Sequence, residues 1–461
     1  MIQRANNIAG MVGSPNRSSP AGMLLGLMRS TLAISALTLG LFASSARPTS
    51  AAPISEGLAR ELCAALAAAV DSRSAGTQAV FVASYLPGPT EREVPPALRS
   101  TAFTYDNALA VIALVACGDP DRARRIGAAF LHALDNDRTF RDGRMRNAYR
   151  NGAVRTGEPA LLPGWWDAAA GHWAEDPYQD SSATGNVAWV ALALLTLHQA
   201  TGDSRYLAAV RRTLDWIDLR ARAAGDVGFT GGVYGYDPTQ QRLGWASTEH
   251  NIDIAAAAGW YARITGDAQA ADMARSARRF LDAAFVVTSG CFTIGTVPAS
   301  TPASANTPLP LGPLAETKHL ALDTQLWPHL LADATPAWSA SLGCVEQHFA
   351  VAGGYDFDND RDGLWIEGTA QAALTFQATG QKARAEALLD GLRLHRAADG
   401  WLTATPASRL TTGLTIGPDS QTADFFYFNR PHLGATAWTT LAALGWNPFT
   451  GRHVNSPPSR P

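Results

Sequence analysis

The chain has 461 residues, 46% of them hydrophobic and 17% charged, with a net charge of −3. Such a composition supports a large core and confines disorder to the ends. A small net charge with no long Lys/Arg block argues against nucleic acid or an anionic membrane surface as partner and favours a neutral, hydroxyl-rich ligand.

The first element in chain order is an address. After Met28-Arg29 comes STLAISALTLGLFASSA, an apolar run of signal-peptide length, followed by small residues suited to cleavage near Ala51 or Ala52. Residues 1–51 are read as an export signal and disordered N-terminus, with Met23 or Met28 as alternative starts. The working chain is then secreted or periplasmic, with no stable membrane insertion once the signal is removed. An uncleaved anchor helix is the alternative. Residues 52–449 read as one domain and 450–461 as a disordered tail.

From residue 54 onward, apolar residues at helical spacing divide the chain into pairs. One member of each pair is nearly free of charge: 105–117, 186–202, 251–266, 320–333, 367–380 and 434–445. The other is amphipathic, beginning with ISEGLARELCAALAAAVDSR at 54–73 and including a polar stretch at 334–351. A helix apolar all round belongs inside and a one-faced helix belongs at the surface, so the alternation predicts an all-α (α/α)6 barrel, with six inner and six outer helices. Tight turns such as Gly202-Asp203 and Gly266-Asp267 lead from inner to outer helix. The return segments are long: 74–104, 138–185, 223–247, 286–318, 352–366 and 397–433. Parallel inner helices place all six on one rim, and loops of that length usually do something.

The long loops carry most of the aromatics. Trp165, Trp166, Trp245, Trp365 and Tyr427 are read as faces on which sugar rings stack, alongside loop aromatics that only pin the loops to the barrel. Four cysteines, Cys63, Cys117, Cys291 and Cys344, lack the spacing of a zinc site. Pairing within each half, Cys63 with Cys117 and Cys291 with Cys344, and four buried free thiols both stay open.

Three segments carry a family likeness: TYDNALAVIAL (104–114), STEHNIDIAAAAGWYARITGD (247–267), and LWIEGTAQAAL (364–374) with FNRPHLGATAWTTLAALGWNPF (428–449). Over residues 54–449 the chain resembles the six-hairpin glycosidase superfamily, and within it exported bacterial proteins of glucoamylase-like and β-glucanase-like type. The resemblance implies a glycoside hydrolase that works without a cofactor, as a monomer, on a glucan-like carbohydrate. The same barrel also serves lyases and epimerases, so fold does not settle chemistry.

Acids gather near the inner helix starts. Asp180 and Asp323 read as helix caps. Glu249 and Asp253 share one helix face four residues apart, a repulsive spacing that calls for a function. Hydrolysis needs one carboxyl kept protonated and one carboxylate to activate water or attack. Glu249, beside Asp253 and Trp245, is read as the general acid. Glu367 and Asp106 compete as base, the other binding a sugar hydroxyl. Inversion, the usual outcome in this superfamily, would place the carboxyls about 6.5–9.5 Å apart. Tyr105, Asp253, His250, Arg430 and His432 complete the expected substrate contacts. Residues 358–363 open like a calcium loop, yet its twelfth position is Thr369 where Glu is needed, so a loop of solvated acids is expected and no metal is assigned. A polysaccharide lyase, drawing on Arg146, Arg150, Arg155 and Arg430, and a non-catalytic glycan-binding protein are the alternatives.

Overall fold

The structure is a computed structural model and describes residues 54–88, 94–298, 307–454 and 456. The export-signal reading falls on residues outside those described. Among the described residues, no helix is long and apolar enough to cross a membrane.

Among the described residues six inner helices, numbered 1 to 6, span Thr104–Ala116, Thr184–Thr201, Thr248–Thr265, Leu322–Leu326, Ile366–Ala378 and Leu433–Leu444. Each packs on the next and the sixth packs on the first, closing a ring. Six outer helices, Ile54–Asp71, Pro120–Asp135, Ser204–Ala221, Ala268–Ala284, Ser341–His348 and Lys382–Leu392, surround them. The architecture is the (α/α)6 barrel expected from the alternation of charge-free and amphipathic segments.

The tight turns work as their residues require. Gly202 and Gly266 end inner helices 2 and 3 in the left-handed conformation, at φ 72° and 73°. The Asp that follows each then caps the outer helix, Asp203 accepting from the Arg205 N–H and Asp267 from that of Ala270.

Two expectations are corrected. The expected inner helix over 320–333 is α-helical only from Leu322 to Leu326 and continues as a 3-10 turn, Trp327–Leu330. Pro328 has no N–H to give the ladder, which ends the α-helix there. Its outer partner is likewise broken, into Pro336–Trp338 and Ser341–His348. The expected tail is also shorter, since Arg452–His453 pairs with Trp446–Asn447.

The long loops carry short antiparallel ladders that helical periodicity does not signal, among them Thr101–Phe103 with Ala148–Arg150 and Trp165–Asp167 with His172–Ala174. Beneath the rim, Trp189, Trp327, Trp438 and Phe449 fill the barrel, with neighbouring ring centroids 5.2–6.5 Å apart. This aromatic plug gives the rim a floor. Both within-half disulfides are formed, Cys63–Cys117 and Cys291–Cys344, with Cα atoms 5.8 and 5.5 Å apart.

Candidate active site

The inner helices begin at one rim, and the first turn of each supplies a polar side chain: Asp106, Asn186, Glu249 with His250, Asp323, Glu367 and, as N-cap of helix 6, His432. The three residues expected to carry catalysis are therefore brought to one cup.

Glu367 is fully buried and held by Tyr105, whose hydroxyl donates to Oε1 at 2.7 Å while accepting the Trp438 indole N–H at 2.8 Å. The Gln371 amide donates to the same oxygen at 3.4 Å, and Oε2 has no hydrogen-bond partner among the described residues. His432 lies between Glu367 and Asp106: Nε2 is 3.5 Å from Asp106 Oδ2 and Nδ1 is 3.7 Å from Glu367 Oε2. Nδ1 accepts the Ala435 N–H at 3.2 Å, so the hydrogen-bond pattern assigns the ring proton to Nε2, facing Asp106. Tyr85 stacks on this imidazole at 4.5 Å. Gly434 makes the crowding feasible: an ideal Cβ there would stand 2.7 Å from Glu367 Oε2, 2.8 Å from Asp106 Oδ1 and 2.9 Å from His432 Cε1.

Across the cup, Ser247 caps inner helix 3 by accepting the His250 N–H, and Glu249 follows in the first turn. No hydrogen bond among the described residues reaches the Glu249 carboxyl, so the reciprocal bond of a capping box is not made. The carboxyl is half-buried at the rim, yet protein surrounds it closely. The Trp245 ring lies 5.7 Å from that of His250, beside Glu249. Tyr178 is within electrostatic reach of both Glu249 and Asp106 and lies near Asn186.

These surroundings set the proton states. Helix N-termini favour carboxylates by about 0.3–1 kcal/mol, whereas burial without a cation opposes them more strongly. Burial pushes Glu249 well above the usual range, and the neighbouring Asp323 and Glu367 push it further. Burial raises Glu367 to about 7, with His432 opposing and Asp106 adding to the rise. Asp323 also rises to about 7 through burial, against one backbone hydrogen bond from Thr324. Burial works against the charge on His432, but Asp106 and Glu367 outweigh it and the pKa goes up.

Several expectations change. Asp323 does not cap its helix; its Oδ1 accepts the adjacent Thr324 N–H, and the side chain belongs to the cup. Asp180 sits in a short helix, Pro177–Asp180, and pairs with Arg138 at 3.1 Å, away from the start of inner helix 2. Trp365 is covered by Phe357 and Tyr427, ring centroids 4.8 and 5.5 Å away, and is a core residue, not a sugar platform. Tyr427 is buried with its ring 5.9 Å from His432, and Arg430 is buried beside Gly88. Trp165 and Trp166 stand on a hairpin whose Trp166 pairs with Trp173, and no ring contact or hydrogen bond among the described residues joins them to the acids.

The acids of the 356–362 loop are not all solvated. Asp356 and Asp358 are buried, and their oxygens, with one of Asp360, lie within 4.8 Å of one another. Each also accepts backbone N–H groups of its own turn. Thr369 is buried and spends its hydroxyl on the Trp365 carbonyl, so the twelfth position adds no ligand.

No family model matches the sequence, and no curated relative is found by sequence. Solved structures do match. One is a glycosidase variant in complex with glucose, at 16% identity and TM-score 0.54, covering 85% of this chain and 97% of that one. A sugar epimerase from a ruminal bacterium matches at 11% identity and TM-score 0.55, covering 84% and 98%. The cellobiose 2-epimerase of Spirochaeta thermophila matches at 14% and 0.53, covering 86% and 98%. The shared feature is the (α/α)6 barrel. These neighbours belong to the six-hairpin glycosidase superfamily, and at such identities the likeness is one of fold.

Proposed function

We propose that the chain is an exported glycoside hydrolase that cleaves a glucan-like polysaccharide or oligosaccharide by inversion, with Glu249 as general acid and Glu367 as general base. The observation that carries this is the unequal pair itself. Among the described residues Glu249 has no hydrogen-bond partner to hold its ionised form and keeps its proton, whereas Glu367 has one oxygen fixed by Tyr105. In this reading Glu249 protonates the leaving oxygen while Glu367 takes a proton from the attacking water. His432 favours the ionised form of Glu367 and Asp106 opposes it, so these two residues tune the base. Trp245 and Tyr178 flank the sugar. Two disulfides support export, since such bonds persist in oxidising compartments.

A sugar epimerase is the second reading, favoured by the two histidines in the cup and by the epimerases among the structural neighbours. The lyase reading has less support. Arg146 is consumed by Asp137 and Asp237, Arg150 lies over Trp173 and Arg155 is exposed beside Glu158, so none of these three is placed to hold a uronate in the cup. The test is turnover of linear and cyclic glucans with product anomers followed by NMR. Glu249→Gln is expected to lose about a thousandfold in kcat and still bind substrate. Unchanged turnover would remove the acid assignment, and an epimerised product of unchanged chain length would favour the second reading.

A further inference from the structure

His250 and Asp253, one turn apart on inner helix 3, have no role in the acid and base steps. Asp253 is completely buried, and neither carboxylate oxygen has a hydrogen-bond partner among the described residues. Facing it are Glu249 on its own helix, Asp323 of inner helix 4 and Trp189 of inner helix 2, whose indole N–H points at the carboxyl without closing a hydrogen bond. With two acids and no cation facing it among the described residues, burial strongly disfavours the charge, so Asp253 is a neutral carboxylic acid, able both to donate and to accept.

The hydrogen bonds also fix the tautomer of His250. Thr184 has one hydroxyl proton and donates it to the Thr230 carbonyl at 2.9 Å. Its oxygen, 3.0 Å from His250 Nδ1, must therefore accept, which puts the ring proton on Nδ1 and leaves a lone pair on Nε2. Burial holds the imidazole neutral, at about 4. Both bare groups flank Gly185, where an ideal Cβ would stand 3.0 Å from His250 Nε2, 3.1 Å from Asp253 Oδ2 and only 2.5 Å from the ring carbon Cδ2. Both lie against the Gly185 backbone, which only a residue without a side chain lets them approach so closely, and they do not bond each other.

We propose that the floor between His250 and Asp253 is the slot for one hydroxyl of a neutral sugar ring. The hydroxyl donates to His250 Nε2 and accepts from the Asp253 carboxylic acid. This rests on the reading of the cup as a sugar site and adds the group that the cup recognises. A uronate is disfavoured, because its carboxylate would add another buried negative charge to a cup that already holds Glu367 and Asp323.

The test is calorimetric titration of the full chain with glucose, galactose and mannose, each monodeoxy analogue of these sugars, and glucuronate. One monodeoxy analogue should bind at least about tenfold more weakly than its parent, because a buried polar group then loses its partner. The gap should close in His250→Leu and reopen in His250→Gln, whose amide oxygen can accept the same hydroxyl. In 15N NMR His250 should carry its proton on Nδ1, and the Nε2 resonance should move with the parent sugar and not with that analogue. An equal gap in native chain and His250→Leu, a proton on Nε2, tighter binding of glucuronate than of glucose, or no binding of any neutral monosaccharide would overturn the proposal. The two readings separate: His250-dependent binding without hydrolysis leaves the slot and removes the hydrolase, and Glu249-dependent hydrolysis without a deoxy gap does the reverse.

Discussion

Arg146 and Glu367 are equally buried, yet they anchor acid clusters with opposite behaviour. In the loop after the second outer helix, Arg146 reaches Asp137 and Asp237 at 2.6 Å each, and Arg138 adds a contact to Asp237 at 2.9 Å. Burial raises Asp237, but the guanidinium bonds of Arg146 and Arg138 and the Thr139 hydroxyl bring it down to about 2. Glu367 and Asp323 are buried more completely than Asp237, have no ion pair with an arginine among the described residues, and rise to about 7. Asp180 marks the boundary. Burial and the neighbouring Glu175 lift it to about 8, because Arg138 is divided among three carboxylates. Burial raises every one of these acids, and its depth together with the guanidiniums within reach sets which of them stay charged.

This contrast can be broken at either end. The largest expected effect is in the loop network, where Arg146→Met leaves Asp137 and Asp237 buried without their main cation and should cost about 3–5 kcal/mol in urea unfolding. A loss below about 1 kcal/mol would mean that the arginine does not hold this cluster together.

Glu367→Gln should act in the opposite direction. The folded pKa of Glu367, about 7, lies above its ordinary 4.5. The stability it contributes is therefore complete below about 4.5 and is lost as pH rises through about 7. Asp237 runs the other way: its stability is present above about 3.8 and is lost as pH falls through about 2. Above pH ~7 the Gln variant should outlast the native chain by on the order of 3 kcal/mol, and below pH ~4.5 the two should match. Unfolding curves at both pH values check this, and an inactive variant that is no more stable at high pH would contradict the strain assigned to the cup.

The smallest effect is the control. Arg393 meets Asp390 at 3.4 Å with both side chains about half exposed, and Arg393→Ala should change stability by less than about 0.5 kcal/mol. A larger loss would show that exposure is not what separates this pair from the buried network.

The barrel was legible because its signal is repeated six times. Charge-free runs such as NVAWVALALLTL can only be inner staves, and the Gly-Asp turns mark where each hairpin folds back. Glu249, Glu367 and Asp106 were legible for the same reason, as acids recurring just inside those runs. Asp323 follows the same rule, but an acid at a helix start reads equally well as a cap, and only the Thr324 hydrogen bond distinguishes the two. Trp365 misled in the other direction, since its loop position says nothing of Phe357 and Tyr427 closing over it. Tyr85 and Tyr178 carry no periodic signal and are found only when the loops are folded over the rim, whereas Asn186 opens a predicted inner helix without standing out there as a site residue. The paired arginines and aspartates of residues 137–146 and 237 are nearly a hundred positions apart, so their mutual neutralisation is a product of tertiary folding alone.

Gly434 shows that a cup of acids can be shaped by what one stave omits. Any side chain at that position would push into Glu367, Asp106 and His432 together, so the tolerance of inner helix 6 to substitution should fall sharply there and recover within a turn. Efforts to reshape this cup have freedom in the long loops and very little at this single missing methyl.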